Sequence, residues 1–151
     1  MPIKPIRTEK VKLDGNTELP VPFFSLNDVP ECFCARYARL SSEFLFGKRF
    51  PASDSWEIRL KPGVISRRTN NQNFKFFSNN GKVSPGSIIG IYNPRSSYNN
   101  KNRPYTHISL YLGKQRGKDV FLEQFVDETR MMTIRDYELE MLQIKEILSL
   151  R

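Results

Sequence analysis

Three residue types in this chain can carry acyl chemistry without a cofactor: a thiol, an imidazole and a carboxylate. The chain has two cysteines, Cys32 and Cys34, and one histidine, His107. A thiol attacks a carbonyl only as thiolate, a form favoured near the amino end of a helix and beside an imidazolium. His107 is the one imidazole that can serve as its base, and its solitude excludes a multi-histidine metal centre. Taken singly, each residue also fits a plainer role, the cysteine as a small buried hydrophobe and the histidine as a structural group. A base needs a further group to hold its ring and tautomer. Glu123 and Gln124 alternate across a predicted strand, so one of them faces His107. Glu123 can accept from the ring nitrogen that does not meet the thiol, with Gln124 as its neutral substitute; an exposed strand carboxylate is the plainer alternative.

The elements that must position these groups follow from spacing. Pro30 suits a first helical turn, and Phe33, Tyr37, Leu40 and Phe44 recur at helical intervals until Gly47, which predicts a helix over 30–46 with Cys34 near its start. Cys32 and Cys34 then lie on different faces, too close in sequence for a mutual disulfide. Ser53-Asp54-Ser55 offers caps for a short helix carrying Trp56 and Ile58, ending before Pro62-Gly63, with Trp56 packed on the first helix. Residues 66–82 show no legible regular structure and are expected as a variable surface element, with a turn at Asn79-Asn80-Gly81. Residues 88–92 and 107–112 read as strands, the second ended by Gly113. Residues 120–126 read as its hairpin partner across a basic loop, Lys114 to Lys118. Thr133 with Asp136 caps a short helix, after which Leu142, Ile144, Leu148 and Leu150 suit a closing strand; one longer helix through Leu148 fits nearly as well. Residues 1–25 read as an irregular arm docked by Phe23 and Phe24, and 26–151 as a single domain. Sheet follows helix, so the class is α+β.

Composition bounds the rest. With 151 residues, 38% hydrophobic and 26% charged, the chain can build one core beneath a polar surface. Lys and Arg number 24 against 16 Asp and Glu, a net charge of +8 that favours polyanionic partners such as nucleic acid, anionic wall polymer or acidic membrane. The basic residues are scattered, and no aromatic-interleaved RNA motif accompanies them. Met1-Pro2-Ile3-Lys4-Pro5 lacks the apolar core of a signal peptide, and no stretch reaches the length of a membrane span. Synthesis in the cytoplasm is expected, with delivery to a cell wall left to another route.

Cys34-Ala35-Arg36-Tyr37-Ala38 opening a helix, Ser53-Asp54-Ser55-Trp56 after it, and Pro85-Gly86-Ser87-Ile88-Ile89 entering a strand form an ordered series. It continues with Thr106-His107-Ile108-Ser109-Leu110-Tyr111-Leu112-Gly113 and Phe121-Leu122-Glu123-Gln124. This order resembles the papain-like cell-wall amidases that include the cysteine- and histidine-dependent amidohydrolase/peptidase (CHAP) and NlpC-type families. The resemblance spans about residues 30–126, with short motifs whose joint order carries it. It implies a papain-like fold, Cys34 as nucleophile, His107 as base and Glu123 as the group orienting it. It further implies hydrolysis of an amide bond in peptidoglycan peptides through a thioester, without metal or cofactor. Trp56, Tyr105 and Gln124 are expected to border the substrate, and the Cys34 N–H is the expected oxyanion donor, with Tyr37 and Tyr105 as side-chain candidates. Two departures stand out: Phe125 and Val126 follow where CHAP members often place an asparagine, and Gly86-Ser87 replaces the usual Gly-Asp. A papain-like site that deamidates or transfers acyl groups is a second enzymatic reading. A noncatalytic basic module that binds nucleic acid or another polyanion is the competing class.

Overall fold

The structure, a computed structural model, describes residues 4–24, 33–53, 56–96, 103–125 and 128–151, without the side chains of residues 33 and 125. Within these residues it is an α+β fold with a two-stranded and a six-stranded antiparallel sheet. No helix among the described residues is long and apolar enough to cross a membrane.

The amino-terminal segment is not irregular. β1 (Arg7–Leu13) and β2 (Thr17–Phe23) form a hairpin in continuous register from Arg7↔Phe23 to Leu13↔Thr17. Asp14, Gly15 and Asn16 make its turn, with Gly15 at φ 75° and Asn16 at φ 60°, backbone that favours these residue types. Pro20 and Pro22 are tolerated because a two-stranded ribbon has only edge strands. The expected docking by Phe24 is present: its ring meets Tyr37 edge-on with centroids 6.0 Å apart, and Leu13 and Val21 join the same apolar cluster. Phe23 borders that cluster beneath the Arg7 guanidinium.

α1 (Phe33–Phe46) matches the predicted first helix over its described length, while Pro30 to Cys32 lie outside the described residues. A 3-10 turn, Glu57–Leu60, stands where a second short helix was expected; Trp56 precedes it, and of its proposed caps Asp54 and Ser55 lie outside the described residues. The unread stretch resolves into β3 (Val64–Arg68) and α2 (Asn71–Asn79), whose Asn70 side chain caps the helix by accepting from the Asn73 N–H. β4 (Ile88–Tyr92), β5 (His107–Gln115) and β6 (Lys118–Phe125) are the predicted strands. Gly113 does not end β5: the strand bulges between Tyr111 and Gly113 and runs on to Gln115, so the basic loop shrinks to a two-residue turn at Arg116 and Gly117. β7 (Glu128–Thr133) was not expected. α3 (Ile134–Leu139) begins with the Thr133–Asp136 capping box, and β8 (Gln143–Leu150) is the closing strand, which excludes the single longer helix.

The large sheet runs β3-β8-β4-β5-β6-β7. Alternation sends Ile88, Ile108, Leu110, Leu122 and Leu148 into the layer of α1 and the hairpin, and Ile89, Ile91, Tyr111 and Phe121 into the layer of α2 and α3. Both faces are covered, which is why β4 and β5 are buried almost throughout. Gly90 carries a special load: the Tyr105 ring lies where its Cβ would stand, 2.5 Å from Cε1, and this contact fixes the chain two residues before His107.

Candidate active site

Cys34 is the second residue of α1 and half-buried. α1 packs on β5 and β6, which brings its start to the start of β5, where His107 stands. The thiol hydrogen-bonds the imidazole and accepts from the backbone N–H groups of Ile108 and Ala35. Burial pushes this thiol up, yet the hydrogen bond and charge of His107, with the two N–H groups, outweigh burial and hold it below its ordinary value.

His107 Nε2 lies 2.9 Å from Glu123 Oε2, leaving Nδ1 as the nitrogen for the thiol. Pairing Leu110↔Leu122 places Glu123 on the same sheet face as His107 and diagonally across from it, within side-chain reach. Burial pulls the imidazole down, but its bonds to Cys34 and Glu123 and the charges of both hold it at about 10. His107 keeps 15% of its side chain exposed while Glu123 keeps none, so the relay opens to solvent only at its imidazole and thiol end.

The carboxylate is clamped. Its Oε2 also accepts from the Tyr137 hydroxyl at 3.0 Å, and its Oε1 accepts from Arg130 Nε at 2.7 Å. Burial alone would push Glu123 up; His107 and Arg130 overcome that and keep it ionised. Arg130 stands directly opposite Glu123 across the β6–β7 pair and reaches on to Glu140 at 3.1 Å. Three donors to one fully buried carboxylate satisfy the demand that a buried charge be paired and hydrogen-bonded.

The structure thus brings Cys34, His107 and Glu123 together, while strand parity turns Gln124 away from His107 and Glu123. Gln124 points to the opposite sheet face, buried, with its Oε1 accepting from Thr129 Oγ1 at 3.2 Å. The choice between the two neighbours falls on Glu123 by strand parity. Trp56 is half-buried against the apolar cluster that Cys34 also borders. Tyr105 has no accessible surface; its ring sits on Gly90 and its hydroxyl lies in the field of Glu146 and Arg59, so it has no face to offer a substrate. Tyr37 is equally enclosed and donates to the Pro22 carbonyl at 2.8 Å, which removes it as an oxyanion partner. Arg130 and Tyr137 are the site residues that sequence reasoning missed. Arg130 is legible only once β7 is recognised, through the opposite charges of a cross-strand pair. Tyr137 lies in the short helix capped by Thr133 and Asp136 and gave no separate signal in the sequence.

Among the described residues no group of three or more His, Cys, Asp or Glu side chains is arranged to hold a metal ion. The Cys34–His107–Glu123 array can hold an ionised thiol, pass a proton through one imidazole and keep that imidazole oriented. Comparison of the chain with family models, with curated proteins and with solved structures finds no match in any of the three.

Proposed function

We propose that this protein is a cysteine-dependent amidohydrolase or peptidase with a papain-like site, acting on amide bonds of peptidoglycan peptides. The observation that carries the reading is the imidazole of His107 held between a half-buried thiol and a buried, ionised carboxylate, with Nε2 2.9 Å from Glu123. Asp119 and Glu146 are buried too, each paired with a cation; what sets Glu123 apart is that its carboxylate meets the one histidine of the chain, which in turn meets a thiol, and such clusters of perturbed groups gather at functional sites. The peptidoglycan substrate rests on the sequence resemblance.

In this reaction the Cys34 thiolate adds to the amide carbonyl carbon, and the carbonyl electron pair moves to oxygen. The position of Cys34 near the helix amino end makes its backbone N–H the donor for that oxyanion. Collapse breaks the C–N bond as the His107 imidazolium passes its proton to the leaving amine. The neutral imidazole then takes a proton from water, which adds to the thioester; the acid leaves and the thiolate and imidazolium are restored. Glu123 holds the ring orientation throughout and stabilises its charged form.

The test is the alkylation rate of Cys34 against pH, read by mass spectrometry in wild type and His107→Ala, with Cys32 as internal control. A Cys34 thiolate persisting well below the free-thiol pKa of about 8.5, and lost in the variant, supports the dyad. Release of new amino groups from purified peptidoglycan by wild type but not by Cys34→Ala then supports the substrate. If Cys34 titrates like Cys32 regardless of His107, the hydrolase reading fails and the noncatalytic polyanion-binding reading replaces it.

A further inference from the structure

At the far end of β5 and β6 from His107, roughly 20 Å along the strands, a cavity of about 430 Å³ opens between α2, the β5–β6 turn and the start of α3. Lys75, Lys114, Lys118 and Arg135 line it, with Asp119 and Glu138 as its carboxylates. These charges are not equivalent. The Asp119 carboxylate is buried and accepts from Ser78 Oγ at 2.7 Å, the Tyr111 hydroxyl at 2.7 Å and Lys114 Nζ at 3.0 Å. Lys114 also reaches Asn79 Oδ1 at 2.9 Å, so this pair neutralises itself and forms a fixed floor. Lys75, Lys118 and Arg135 are exposed and have no ion pair or side-chain hydrogen bond among the described residues. Three free cations from three separate elements therefore converge on one cavity against the single exposed carboxylate of Glu138.

We propose that this cavity binds a phosphate-bearing polyanion of the polyol- or sugar-phosphate class, holding the protein on an anionic polymer while the thiol site works elsewhere. The lining favours that class over nucleic acid. No aromatic side chain lines the cavity, so nothing in it offers a stacking platform for bases, whereas ammonium and guanidinium groups match phosphate oxygens. Glu138 and Asn79, at the same cavity, are acceptors for the hydroxyls of a polyol. The site does not depend on the thiol chemistry, and binding and hydrolysis are separable by experiment.

The experiment titrates the full chain against a fluorescently labelled glycerol-phosphate oligomer, reading anisotropy at two salt concentrations. A Lys75→Gln/Lys118→Gln/Arg135→Gln variant is compared with Lys10→Gln/Lys12→Gln/Arg68→Gln, which removes equal charge from exposed positions outside the cavity. The first variant is expected to weaken binding at least tenfold and the second less than threefold, with Glu138→Gln tightening it and Cys34→Ser leaving it unchanged. The Cys34 alkylation profile, unaltered in the cavity variant, reports an intact fold. Equal losses in the two triple variants, absence of binding, or tighter binding to single-stranded DNA of matched charge would each overturn the proposal.

Discussion

Glu123 is the side chain on which the site turns, because three donors from three elements meet on it where no water reaches. Glu123→Gln keeps the shape and removes the charge that supports the imidazolium. The acid limb of Cys34 alkylation should move up by at least one pH unit, and amide hydrolysis should fall about 10²-fold, within the range for losing a proton-transfer arrangement. Tyr137→Phe removes only one of the three hydrogen bonds, and a loss of about tenfold in the same assay is expected. The pH dependence has a definite sign. His107 has a folded value near 10 against about 6.5 unfolded, so its stabilisation is complete below 6.5 and is lost as pH rises through 10. Cys34 is lowered from 9.0, so its stabilisation is complete above 9.0 and is lost as pH falls through its folded value. The two trends oppose each other between the folded value of Cys34 and 9.0, and above 9.0 only the His107 loss remains. The urea midpoint should therefore fall more steeply from pH 9 to pH 10 in wild type than in His107→Ala; parallel curves would show that the imidazolium is not stabilised in the fold.

At the scale of elements, the site depends on how the chain enters β5. The Tyr105 ring on Gly90 sets the last step before His107, and a methyl group at position 90 would stand 2.5 Å from that ring. Gly90→Ala should cost about 1–3 kcal/mol by overpacking, read as a lower urea midpoint, and a Tyr105→Leu partner change should recover part of it. Full additivity of the two changes would show that the contact does not set the strand. The β1–β2 hairpin supports the other end of β5. The Asp14 carboxylate accepts from the Arg116 and Gly117 N–H groups at 2.7 and 2.8 Å, bonds that hold it below the usual carboxylate range, and Gln115 Nε2 donates to the Lys12 carbonyl at 2.9 Å. Asp14→Ala should leave Cys34 alkylation unchanged while amide exchange at Gly117 accelerates.

Across the whole molecule, the six-stranded sheet separates two helical layers, and the relay crosses from one to the other at the head of β5. Cys34 comes from the α1 layer, while Tyr137 comes from the opposite layer. The slowest native-state amide exchange is expected in β4, β5 and β8, interior strands with both faces packed, and faster exchange in edge strand β3, exposed over most of its length. Equal protection in β3 and β4 would contradict this division of stability.

Much of this was legible in the chain because it is local. Helical spacing ended by Gly47, the Thr133–Asp136 capping box and the apolar runs of β4, β5 and β6 each depend on residues within a few positions of one another. The hairpin was equally local, with Asp14-Gly15 at its turn, but residues 1–25 read as an irregular arm because Pro20 and Pro22 break the strand pattern, an interruption that only an edge strand tolerates. Cys34 and His107 stood out by scarcity of type. What only tertiary structure decided is whatever depends on pairing at a distance: that parity turns Glu123 toward His107 and Gln124 away, that β7 sets Arg130 across from Glu123, that Tyr105 is buried on Gly90, and that three cations without an ion-pair partner among the described residues share one cavity. A residue's neighbours along the chain set its backbone, whereas its charge environment is set by strands and helices that meet only after folding.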